Sequence, residues 1–145
     1  MRTGSILPLI FAVVLAIVLA PVVGADGGGR PFRLALTGAA ERPGPGDPDG
    51  TGTAVLRLNP GQGEVCYEYT TSGLVPLAAA HIHVAPVTEP GPVVIPLPPT
   101  SETGGSGCVT ASRALILEIV RNPQNYYFNV HTSEFPAGAL RAQLG

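Results

Sequence analysis

The chain has 145 residues, a formal charge of -2 and only 12% charged side chains. All eight cationic side chains are arginine and none falls in a basic run, so nucleic acid finds no electrostatic footprint and no nucleic-acid partner is expected. That length holds one domain and one core.

Arg2, the apolar run from Ile6 to Val23 and the small-residue exit Val23-Gly24-Ala25 predict a signal peptide over residues 1–25, cut after Ala25. An uncleaved anchor is the competing reading, because the run approaches the roughly 20 residues that span a bilayer. Pro8, Pro21 and the small-residue exit favour cleavage, and membrane contact is expected only if the leader is kept. No cysteine follows the run, which argues against a lipid-anchored lipoprotein. Export to an oxidising, extracytoplasmic compartment predicts that Cys66 and Cys108, the only cysteines, form a disulfide. A redox or metal-binding cysteine pair has no CxxC spacing behind it.

Residues 26–31 are Gly-rich and read as a flexible leader, and the domain proper as 32–145. Phe32, Leu34 and Leu36 alternate with Arg33 and Ala35, the half-buried strand pattern. Pro43, Pro45 and Pro48 make residues 39–51 a loop, since a sheet interior does not tolerate so many missing donors. Residues 53–70 read as a hairpin about the turn Asn59-Pro60-Gly61-Gln62-Gly63. A strand over 79–84 carries His81 and His83 on one face and Ile82 and Val84 on the other. Val93–Ile95 is a short strand ended by Pro96, Pro98 and Pro99, which suggests a sheet edge. Residues 100–107 read as a polar loop and 108–110 as a strand tied to the hairpin. Leu115, Ile116, Ile119 and Val120 give residues 111–122 helical spacing, with Pro123 beyond. Residues 126–132 and 139–144 close the chain as two strands joined by 133–138, a connector of hairpin length. Short alternating strands without repeated helices predict an all-β antiparallel sandwich or barrel of about seven strands with one short helix.

Ala80-His81-Ile82-His83, Gly91-Pro92-Val93-Val94, Gly107-Cys108-Val109, Tyr126-Tyr127, Asn129-Val130-His131-Thr132, and then Phe135-Pro136, Gly138, Arg141 and Gln143 resemble the CHRD domain. This module was first described in chordin and is found in secreted bacterial proteins. The resemblance covers nearly all the mature chain. It departs from the family pattern at Pro86, Ala137 and Ala142, which alters turns and leaves the histidines in place. It implies an immunoglobulin-like β-sandwich or barrel with limited similarity to copper/zinc superoxide dismutases. It implies no settled activity.

His81, His83 and His131, the only histidines, are the candidate metal ligands: three neutral imidazoles suit zinc or copper. The competing reading is that they brace two strands, hydrogen-bonding to backbone and to Asn129 or Glu68. Three histidines are too few for a two-metal superoxide dismutase site. No serine lies in a Gly-x-Ser-x-Gly elbow, and Glu64, Glu68 and Glu134 read as solvated charge. Tyr67, Tyr69, Tyr126 and Tyr127 suggest an aromatic partner surface, although alternation puts at least two of them at the core. Arg141 faces away from the core that Leu140 and Ala142 define, toward a partner's carboxylate or, as the duller account, a glutamate of its own chain. The sequence thus points to a secreted, non-catalytic structural or binding module without a cofactor, its partner an extracellular protein or small ligand. The alternative is a mononuclear copper or zinc protein with weak oxidoreductase activity.

Overall fold

Phe32, Leu34 and Leu36 turn to one side of the first strand and are buried, and the same two-residue period continues through Ala54, Leu56 and Leu58 on the next. The computed structural model describes Met1 and residues 28–145; the expected cleavage segment and the start of the leader lie outside the described residues. Among the described residues no helix is long and apolar enough to cross a membrane.

The strands are β1 (Arg30–Thr37), β2 (Thr51–Asn59), β3 (Glu64–Ser72), β4 (Leu77–Val84), β5 (Val93–Pro96), β6 (Gly104–Thr110), β7 (Tyr126–Thr132) and β8 (Leu140–Gln143). They form one eight-stranded sheet in the order β5-β4-β7-β8-β1-β2-β3-β6. Every pairing is antiparallel. The proline-bounded β5 lies at an edge, as its missing donors require.

β5 and β6 follow one another in the chain yet occupy opposite edges, so the connector between them spans the gap and nearly closes the sheet into a barrel. Leu97 N donates to Ala80 O on β4 at 2.9 Å. From β3, the hydroxyls of Tyr69 and Tyr67 donate to Leu97 O and Pro98 O at 3.1 and 3.0 Å. The four tyrosines are all buried, which overturns the aromatic partner surface: their rings fill space, and the hydroxyls of Tyr67, Tyr69 and Tyr127 bond to backbone of the closure and the 85–92 loop.

Two strands begin earlier than their side chains suggest. Arg30 and Pro31 pair with Leu58 and Arg57 and belong to β1, so the leader stops short of them. Gly104 and Gly105 belong to β6, where polar composition predicts a loop. A Cβ at Gly104 would stand 2.4 Å from Tyr69 O and one at Gly105 2.7 Å from the Tyr69 ring, so glycine is what lets this edge strand approach.

Cys66 and Cys108 are direct cross-strand partners on β3 and β6 and form a disulfide. The helix α1 (Arg113–Arg121) is capped by Ser112, whose hydroxyl accepts from Leu115 N, and it buries Ile116 and Ile119 against the core. Ile82 and Phe128, opposite one another on β4 and β7, lie at the centre of that core with no exposed surface. Truncating Phe128 to alanine would cost about 3–5 kcal/mol.

Candidate metal centre

β4 and β7 are neighbours in a register that sets Ala79 opposite His131, His81 opposite Asn129 and His83 opposite Tyr127. With a two-residue period, Ala80, Ile82, Phe128 and Val130 face the core, and the histidines, Asn129 and Tyr127 share the outer face. The three histidines that the sequence singles out therefore meet. Their ring centroids are 5.4 Å (His81–His83), 5.0 Å (His81–His131) and 6.0 Å (His83–His131) apart.

Loops cover this outer face. Arg141 on β8 donates from Nη1 to Glu89 O and from Nη2 to Pro86 O, both at 2.9 Å, and Gln143 Nε2 donates to Ala85 O at 2.8 Å. These bonds draw residues 85–92 down over β7 and β8. On the other side, Glu41 reaches in from the proline-rich loop and accepts from Asn129 Nδ2 at 3.3 Å. The result is a polar layer shut off from water: His83, Asn129, Arg141 and Glu41 are 7%, 1%, 1% and 2% exposed. Arg141 is thus unavailable to a partner's carboxylate. Its guanidinium serves backbone carbonyls of its own chain and Gln143 Oε1.

The loops also orient the rings. Gly91 O lies 2.8 Å from His83 Nδ1, and Pro136 O lies 3.1 Å from His131 Nδ1. A carbonyl only accepts, so His83 Nδ1 carries the proton and its Nε2 presents a lone pair, whereas an uncharged His131 has one N–H for the two oxygens that its ring nitrogens face. His83 Nε2 is buried with no partner, and so is His81 Nδ1. His131 Nε2 faces Asn129 Oδ1 at 3.0 Å. Asn129 is the bracing partner foreseen in the sequence; Glu68 lies on β3, across the sheet, and Glu41 takes its place.

Burial and mutual repulsion keep these rings uncharged. Desolvation, reinforced by His131 and His83, pulls His81 down to about 4. Desolvation also lowers His83 and His131, opposed at His83 by its hydrogen bonds to Gly91 O and Asn129 and at His131 by the one to Pro136 O. Glu41 moves the other way: burial raises it to about 7, although the Asn129 hydrogen bond and the charges of Arg141 and Arg42 oppose the rise.

One ligand atom from each histidine lies within 4.8 Å of the other two. Ligands at 2.0–2.1 Å from a tetrahedral ion are about 3.3 Å apart, so small side-chain rotations suffice to converge. Glu64, Cys66 and Cys108 are similarly close, but both sulfurs are spent in the disulfide.

Glu41, Tyr127 and the carbonyls of Gly91 and Pro136 had no sequence signal of a site. Glu41 sits in a proline-rich loop, and backbone carbonyls leave no mark in side-chain identity. Gly138 is needed beside Glu41, since a Cβ there would lie 2.4 Å from the Glu41 carboxylate.

Fold and face together define a class: a nearly closed, eight-stranded antiparallel β-barrel domain with three histidines gathered on one outer face. The chain belongs to the CHRD domain family, whose model matches residues 32–144. No curated protein and no solved structure matches it.

Proposed function

We propose that this CHRD domain is an exported, non-catalytic binding module whose ligand is a single copper or zinc ion held by His81, His83 and His131. The observation that carries this reading is the pair of buried, unpartnered ring nitrogens, His83 Nε2 and His81 Nδ1, beside His131. Bracing alone accounts for one nitrogen of His83 and one of His131. It leaves two buried polar atoms unsatisfied, at about 1–3 kcal/mol each. A metal ion uses both. The hydrogen bond from His83 Nδ1 to Gly91 O leaves its Nε2 free to ligate, and the Pro136 carbonyl orients the His131 ring. Export is supported by the disulfide, and a binding rather than catalytic role by the loop held over His83. Elemental analysis of untagged protein, followed by loading with copper and with zinc, tests the reading: one equivalent per chain is expected. Protein that takes up neither ion would overturn it.

A further inference from the structure

We propose that Asn129 Oδ1 is the fourth ligand of the ion held by His81, His83 and His131, so that the site is closed. This rests on the metal reading above and goes beyond it by assigning the remaining coordination position.

Four observations converge on Asn129. It stands directly opposite His81 in the β4–β7 register, so its side chain shares the histidines' face. It is 1% exposed, which removes water as a ready partner. Its Nδ2 donates to Glu41 Oε1 at 3.3 Å, and this bond turns Oδ1 the other way, toward His131. Oδ1 then lies 3.0 Å from His131 Nε2.

That last contact and its neighbour cannot both be hydrogen bonds. An uncharged His131 has one N–H, yet both of its ring nitrogens face oxygens that only accept, Pro136 O and Asn129 Oδ1. With the proton on Nδ1, Nε2 is a lone pair, and so is every site on Asn129 Oδ1. Two acceptors facing one another at hydrogen-bond distance repel unless a cation lies between or beside them. A metal ion serves both lone pairs at once, and the two unpartnered nitrogens of His81 and His83 complete the set.

The separation also fits. Ligands of a tetrahedral ion stand about 3.3 Å apart, so Oδ1 and Nε2 are already near the required spacing. Three imidazoles and one amide oxygen leave no position for an outside group, which is the pattern of structural rather than catalytic sites. Glu41 is then a positioning residue: it holds the amide by its nitrogen and touches none of the three rings in a hydrogen bond.

Cobalt(II) is the probe, because its visible absorption reports coordination number and exchangeable ligands. Full-length protein titrated with cobalt should give a tetrahedral spectrum that azide does not alter. Asn129→Ala should bind cobalt roughly 10- to 100-fold more weakly, and its spectrum should shift on adding azide. Asn129→Asp keeps an oxygen donor and should bind at least as tightly as the unaltered chain while staying insensitive to azide. The aspartate variant and the azide test on the unaltered protein keep the proposal decidable if the alanine variant fails to fold. An azide shift in the unaltered complex, or unchanged affinity in Asn129→Ala, overturns the fourth ligand while leaving the histidine site standing. Absence of any cobalt spectrum in the unaltered protein removes the site and its fourth ligand together.

Discussion

The Arg141 guanidinium lies 3.5 Å from the centre of the Tyr127 ring, and that ring is in turn stacked on His83, 4.7 Å away and within 9° of parallel. A buried cation thus packs on the ring that fixes the plane of a candidate ligand. The same guanidinium pins Pro86 O and Glu89 O. Gly91, whose carbonyl orients His83, belongs to the loop so held.

Arg141→Ala should therefore lower unfolding free energy by about 2–4 kcal/mol, because it strands two carbonyls and removes the stacked cation. Arg141→Lys should recover only part of this, since an ammonium lacks the planar fork. Urea denaturation measures both, and equal stability of all three proteins would contradict the clamp.

Glu41 gives the stability a pH dependence with a definite sign. Its carboxyl titrates at about 7 in the folded protein against 4.5 for a free glutamate, so the folded state holds the proton more tightly. This contribution is complete below pH 4.5 and is lost as pH rises through 7. A shift of this size is worth at most about 3 kcal/mol. Glu41→Gln should flatten that part of the profile in denaturation experiments between pH 4 and 8. An unchanged slope in the variant would assign the effect elsewhere.

The disulfide joins strands separated by 42 residues in the chain. Oxidised protein should weigh two hydrogens less than reduced protein, and Cys66→Ala should cost about 2–5 kcal/mol. Native alkylation of both thiols under non-reducing conditions would contradict the pairing.

How far the sequence carried this account depended on whether the signal lay in side chains. The alternation of Leu34, Leu36, Leu56 and Leu58 made the first strands legible, and Pro96 with its neighbours marked β5 as an edge. His-x-His placed two candidate ligands on one face, and the second apolar-rich strand from Tyr126 carried His131, which folding could bring alongside them. The roles of Glu41 and Arg141 were hidden because each depends on a loop folding back over the sheet, a long-range event without periodicity. Gly104 and Gly105 misled for a related reason: their place in β6 is set by the bulk of Tyr69 on the neighbouring strand.

Export makes its own prediction. N-terminal sequencing of secreted material should begin at Asp26, following the small-residue exit Val23-Gly24-Ala25. Recovery of Met1 in a membrane fraction would mean that the segment is kept as an anchor.

Proton competition at the histidines should be weak. His81 titrates at about 4, and His83 and His131 are both lowered from 6.5, so the loss of zinc on acidification should have its midpoint below pH 6.5. An exposed histidine cluster would already be losing its ion at pH 6.5. Zinc titrations at a series of pH values distinguish the two, and a midpoint at or above 6.5 would contradict the buried, uncharged site.

The most direct test of the whole account is calorimetric titration of untagged protein with zinc and with copper at pH 7, alongside His83→Ala and His131→Ala. The account predicts one ion per chain, with affinity falling at least about 100-fold in each variant. No uptake at micromolar ion, or equal uptake by the unaltered chain and both variants, would contradict it.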